Sequence, residues 1–136
     1  MIDPQAMEQK QQHYLQFQML QQQIEQVSQQ LEAINQALQE IDISQEALKQ
    51  LESTKLDTDI LATICPGIFV KAQLKENQNL IVNIGSNTTV EKTVLQVISL
   101  LEEQQQEMQS QATKADTLLQ QLTQQAMELY EQINIE

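Results

Sequence analysis

The side chains best suited to chemistry in this chain are few and scattered. His13 is the single histidine, and it sits in a glutamine-rich stretch. Cys65 is the single cysteine, so no disulfide can form within the chain and a four-thiolate zinc site is excluded. With no second histidine or thiol to join it, His13 reads as a helix residue rather than a metal ligand or a catalytic base. Cys65 adjoins a Pro-Gly turn and reads as a small packing residue. Glu102, Glu103 and Glu107, like Glu128 and Glu131, recur at helical spacing and read as solvated helix faces. Gly85-Ser86-Asn87 lacks the second glycine and the following lysine that a phosphate-cradling loop requires. None of these groups forms an acid–base pair or a nucleophile with an activator. The chain reads as neither an enzyme nor a cofactor binder, and as a binding or scaffolding protein instead.

Composition points the same way. Aromatic residues make up 3% of the 136, there is no Trp, and Gly occurs twice, which is poor material for a compact globular core. The formal charge is −12, carried against seven lysines and no arginine. Nucleic-acid binding is not expected, because neutralising phosphates takes clustered cations. No run of eighteen apolar residues and no basic leader with an apolar core occurs, so the sequence predicts a cytoplasmic protein away from membranes. Met7 is a second candidate initiator, after Met1-Ile2-Asp3-Pro4.

The elements that position these residues are two heptad segments around a β-rich middle. The first, over residues 5–55, carries apolar residues in steps of three and four: Phe17, Leu20, Ile24, Val27, Leu31, Ile34, Leu38 and Ile41. Continuing that register puts Gln45 in the seam, whereas Leu48 and Leu51 fit better after a three-residue stammer near Ser44. The second segment, 93–135, reads Val94, Ile98, Leu101, Gln105, Met108 and Ala112, then Ala115, Leu119, Leu122, Ala126, Leu129 and Ile133. Its alanines would let a partner helix approach closely. Helices of roughly 50 and 40 residues span about 75 and 60 Å, and their similar lengths favour an antiparallel coiled-coil hairpin over a long parallel dimer.

Between them, over 56–92, Pro66-Gly67 suits the centre of a type II turn. It separates Ile60–Ile64 from a run in which Ile68, Val70, Ala72 and Leu74 share one face. After a polar turn, Leu80, Val82 and Ile84 align, and Gly85-Ser86-Asn87 breaks the run before a strand containing Val90. Four short strands in two hairpins, with one apolar face and open edges, are marginal alone. The strands are therefore expected to be completed by other subunits.

At these residues the chain resembles the prefoldin alpha subunits of archaeal type. The likeness lies in Gly67-Ile68-Phe69-Val70-Lys71-Ala72-Gln73-Leu74, in Leu80-Ile81-Val82-Asn83-Ile84-Gly85, and in the lead-in Val90-Glu91-Lys92-Thr93 to the second helix. The Cys65-Pro66-Gly67 turn and the absence of Arg depart from the family's habit. The resemblance implies a single prefoldin domain over 1–136, mainly α, whose two β-hairpins sit at the bend of the coiled coil and complete β-barrels in an oligomer. It further implies a hexamer of two alpha and four beta subunits, ATP-independent holding of non-native polypeptides at coiled-coil ends, and transfer to a group II chaperonin.

In an antiparallel hairpin both chain termini lie at the free end. Met7 and Tyr14 fall off the first seam there, as do Leu15 and Met19, while Met127, Tyr130 and Ile135 fall off the second. Flexible Met and amphipathic Tyr suit weak binding of many sequences. Met7, Tyr14, Phe17, Met127, Tyr130 and Ile133 are accordingly expected to grip unfolded chains. The competing expectation is a register shift near Tyr14 that packs them inside the hairpin. A structural filament, or an adaptor docking one specific partner, is the alternative at the level of function.

Overall fold

A computed structural model describes residues 3–135. The element order is α1 (Pro4–Ser53), β1 (Asp59–Cys65), β2 (Ile68–Gln73), β3 (Asn79–Gly85), β4 (Thr88–Thr93) and α2 (Val94–Ile135). The chain divides into two compact units, one of Met1–Leu38 with Glu107–Glu136 and one of Gln39–Gln106.

Both helices start on side-chain caps. At α1, Asp3 Oδ1 accepts the Gln5 N–H at 3.1 Å, with Pro4 at the first helical position, where its missing N–H costs nothing. At α2, the Gln96 N–H donates to Thr93 Oγ1 at 3.1 Å and the Thr93 N–H donates to Gln96 Oε1 at 3.0 Å. This is a reciprocal capping box that satisfies two otherwise orphaned donors. The C-terminal end of α1 is closed by Ser53 and Thr54, whose hydroxyls both donate to the Gln50 carbonyl.

In the first unit, residues near the start of α1 meet residues near the end of α2, so the paired segments run antiparallel. Val27, Leu122, Ala126 and Leu129 are its buried apolar residues. Phe17, Leu20, Ile24, Leu31, Ile34 and Leu38 are half-buried, as the heptad spacing predicts. Ala112, Ala115, Leu119 and Ile133 answer them on α2 at the same burial.

In the second unit the seam continues through Ile41, Gln45 and Leu48 without interruption. Ser44 is exposed and Gln45 is half-buried, so the stammer expected near Ser44 is absent. The spacing of four then three carries the heptad straight on. The helix accommodates a glutamine in its seam rather than altering its winding, and the Gln45 Nε2 lies buried with no hydrogen-bond partner among the described residues. On α2 of the same unit, Gln105 Nε2 donates to Asp42 Oδ1 at 2.7 Å. The one polar residue in that helix's seam thus has a partner on α1.

The strands form two separate two-stranded antiparallel sheets, β1–β2 and β3–β4. In the first, Ile60 pairs Ala72 and Ala62 pairs Val70. In the second, Leu80 pairs Lys92 and Val82 pairs Val90. Both registers slip by one residue beside the turn, between Thr63 and Cys65 and between Asn83 and Gly85. Gly67 has φ +83°, the value required at the second central position of a type II turn. Ser86 and Asn87 have φ 50° and 59°, the paired positive values of a type I′ turn. The base of each hairpin is tied to its surroundings: the Asp57 N–H donates to the Leu74 carbonyl at 2.7 Å, and the Val94 N–H donates to the Gln78 carbonyl at 2.8 Å. Asn77 Nδ2 donates to the Thr54 carbonyl at 2.9 Å. Leu74, Val94 and Ile98 are the buried apolar residues beside these ties, with Val94 only 1% exposed. No helix among the described residues is long and apolar enough to cross a membrane.

Candidate functional site

Two surfaces hold apolar side chains that the chain itself leaves uncovered. The first lies in the unit built from the start of α1 and the end of α2. Met7, Tyr14, Leu15, Met19, Met127 and Tyr130 are all half or more exposed there. Sequence periodicity explains why: the heptad consigns Phe17 and Ile133 to the seam and leaves these residues on the flanks.

The exposed residues gather around two open grooves. One, of about 670 Å³, is lined by Ala6, Met7, Tyr14, Leu15 and Ile133 together with Lys10 and Gln11. The other, of about 520 Å³, takes its apolar wall from Phe17, Ile24, Ala126, Met127 and Tyr130. The six residues singled out from sequence therefore fall into two sets of three: Met7, Tyr14 and Ile133 in the first groove, Phe17, Met127 and Tyr130 in the second. Phe17 and Tyr130 are in ring contact, with centroids 5.8 Å apart. Phe17 and Ile133 are half-buried, as seam residues are, but Tyr14 and Tyr130 keep 54% and 53% of their surface. The register shift that would have packed the tyrosines away does not occur. Leu15 is a lining residue outside those six, and its position off the seam was the available signal. Ala6 and Ala126 carry no such signal, being too small to mark a surface by type.

The second surface is the pair of hairpins. Ile68, Val70 and Ile84 are exposed, whereas Ala72, Leu80, Val82 and Val90 are half-buried and Leu74 is buried within the chain. The apolar content is not confined to that face. Leu61 and Phe69, on the opposite face of the first hairpin, are 66% and 54% exposed, and Ile81, on the opposite face of the second, is 80% exposed. An isolated two-stranded ribbon with apolar residues open on both faces is marginal in water.

No group of three or more His, Cys, Asp or Glu side chains among the described residues is placed to hold a metal ion. Cys65 is a free, exposed thiol in the first hairpin.

The sequence profile of the prefoldin subunits matches residues 20–135, which takes in α1 from Leu20 onward, every strand and all of α2. The chain belongs to the prefoldin family. It is 32% identical over 69 residues to the prefoldin subunit alpha of Thermofilum pendens, a match covering 51% of this chain and 54% of that one. It is 27% identical over 80 residues to the prefoldin subunit alpha of Methanopyrus kandleri, covering 59% and 51%. The chain thus spans about half the length of these prefoldin relatives. In three dimensions it is similar to a filamentous prefoldin from Methanocaldococcus jannaschii, with a TM-score of 0.74 at 14% identity over 85% of this chain and 95% of the other. That likeness establishes the prefoldin fold, with two long helices and two small antiparallel hairpins. The alpha relatives give the class within the family.

Proposed function

We propose that this chain is the alpha-type subunit of an ATP-independent chaperone, holding non-native polypeptides in the grooves between the start of α1 and the end of α2. The observation that carries the reading is the half-exposure of Met7, Tyr14, Met127 and Tyr130 around two open apolar grooves. Flexible thioethers and amphipathic rings bind many sequences weakly, which is what capture without a nucleotide cycle requires. The open faces of the hairpins supply the second half of the proposal. Ile68, Val70, Ala72, Leu80, Val82, Ile84 and Val90 join the equivalent strands of other subunits, with Leu74 anchoring the first hairpin from beneath. The assembly is a hexamer of two such chains with four prefoldin beta subunits, located in the cytoplasm and passing its clients to a group II chaperonin. Several binding ends in one particle raise avidity through effective concentration. Neither nucleic acid nor membrane enters this reading, and no cofactor or catalytic step is needed.

A filament or homo-oligomer built through the strands is the second reading, favoured by the apolar residues open on both hairpin faces. Mass measurement of the chain alone, then mixed with a prefoldin beta subunit, separates the two. A hetero-hexamer formed only in the mixture supports the chaperone reading, and a homo-oligomer indifferent to beta sinks it. Removing residues 1–15 and 128–136 then tests the binding end: the assembly survives while suppression of client aggregation is lost. Undiminished protection by the trimmed assembly would place client binding elsewhere.

A further inference from the structure

The two grooves differ in charge. Among the described residues, the groove containing Met7 and Tyr14 has Lys10 as its one charged lining residue. The groove containing Phe17 and Tyr130 is lined by two carboxylates, Glu25 from α1 and Glu131 from α2, and by no cation among the described residues. Among the described residues neither carboxylate takes part in a hydrogen bond or ion pair. Tyr130 leaves 53% of its surface open beside them. We infer that the Phe17–Tyr130 groove selects polypeptide segments in which apolar residues are interspersed with Lys or Arg, and disfavours segments bearing Asp or Glu.

This inference rests on the chaperone reading and names the class of segment its second groove takes. Apolar residues of such a segment cover Phe17, Ile24, Ala126 and Met127, while its basic side chains reach Glu25 and Glu131 on opposite walls. A cation can also lie over the open face of Tyr130, where the ring quadrupole attracts it. An acidic segment meets two uncompensated like charges in the same place. The net charge of −12 acts in the same sense at longer range, raising the encounter rate of basic segments. Two exposed charge pairs and one cation–π contact amount to a preference of roughly tenfold.

The test uses the full chain and two fluorescent peptides of one leucine-rich core, one with lysines and the other with glutamates between the leucines, followed by anisotropy. The expected result is roughly tenfold tighter binding of the lysine peptide at low salt, a ratio that shrinks toward one at 1 M salt, where charges are screened within about 3 Å. The ratio also falls in the Glu25→Gln/Glu131→Gln double variant. Equal affinities for the two peptides in the unmodified chain overturn the charge selection and leave polypeptide holding intact. A ratio unchanged in the double variant overturns its assignment to this groove. Binding of neither peptide overturns both this inference and the chaperone reading beneath it.

Discussion

Phe17 and Tyr130 face each other across the two helices with ring centroids 5.8 Å apart and planes inclined by 39°. The separation lies within the favourable range for aromatic pairs. Phe17 is a seam residue, half-buried, whereas Tyr130 stands one position beyond the seam residue Leu129 and is half-exposed. One contact therefore joins the packing of the helix pair to the surface it offers. On the proposed reading, a client covering Tyr130 would rest on a ring already held by its contact with Phe17, so less side-chain freedom would be lost on binding.

The two rings should be separable by mutation. Phe17→Ala removes partly buried packing and is expected to destabilise the helix pair by about 2 kcal/mol, less than a fully buried Phe would cost. Tyr130→Ala should cost under about 1 kcal/mol in stability, because half its surface is already wet. It should nevertheless weaken suppression of client aggregation at least as much. Urea unfolding followed by helical circular dichroism, beside a client light-scattering assay, reads both quantities. If loss of protection simply tracks loss of stability across the two variants, Tyr130 has no separate binding role.

Gln45 offers a stabilising substitution. Its Nε2 is buried with no hydrogen-bond partner among the described residues, and an unsatisfied buried amide costs about 1–3 kcal/mol. Gln45→Leu removes that cost and adds apolar area to the seam, so the urea midpoint should rise by the equivalent of about 1–2 kcal/mol. Gln105→Leu should gain less, because Gln105 already donates to Asp42 at 2.7 Å and that bond is lost. A lower midpoint for Gln45→Leu would mean that the seam polar group has a partner in the assembled protein. Polar residues at seam positions commonly trade stability for register in this way.

How much of this was legible in the sequence differs between the helices and the sites. The seam from Phe17 to Ile41 and from Val94 to Ile133 follows from the spacing of apolar residues, because burial on a paired helix obeys one period. The passage through Gln45 did not follow. Pattern reading treats a glutamine as an intruder, although its methylenes can be buried while the amide bears the cost. The division of the apolar end into two grooves of opposite charge was equally hidden. Glu25 and Glu131 lie far apart along the chain, and only the antiparallel pairing of this unit brings them to one cleft. The hairpins were readable strand by strand from the turn residues, but the apolar residues on their second faces, Leu61, Phe69 and Ile81, carry no periodic signal that distinguishes them from a buried strand.

Val94 is the most deeply buried side chain among the described residues, at 1% exposure, and it lies where α2 leaves β4. Its N–H also donates to the Gln78 carbonyl at 2.8 Å. Val94→Ala keeps that backbone bond and removes two methyl groups, which predicts a loss of about 2 kcal/mol by the same urea assay. Leu95→Ala, next to it but 66% exposed, is expected to change the isolated chain's stability by less than about 0.5 kcal/mol. Comparable effects at the two positions would contradict the burial difference between them.

The hairpin faces give the last prediction, aimed at assembly rather than at folding. Val70 and Ile84 are exposed on the expected joining faces of the two ribbons, so each can carry a charge in the isolated chain at little cost to helix content. In an assembly the same charge would be buried against apolar strands of a neighbour, at a cost of several kcal/mol per uncompensated ion. Val70→Glu and Ile84→Glu are therefore expected to leave the circular dichroism spectrum unchanged while abolishing the hetero-oligomer in mass measurement with a beta subunit. Lys71→Glu, which reverses a charge on the opposite face of β2, separates the two sides of the ribbon. If only Val70→Glu disrupts assembly, the joining surface is the face that also holds Ala72. If both do, the surfaces carrying Leu61 and Phe69 are covered as well, and the ribbon is enclosed from two sides. If neither variant affects assembly, the hairpins are not the joining elements and the subunits must meet through their helices.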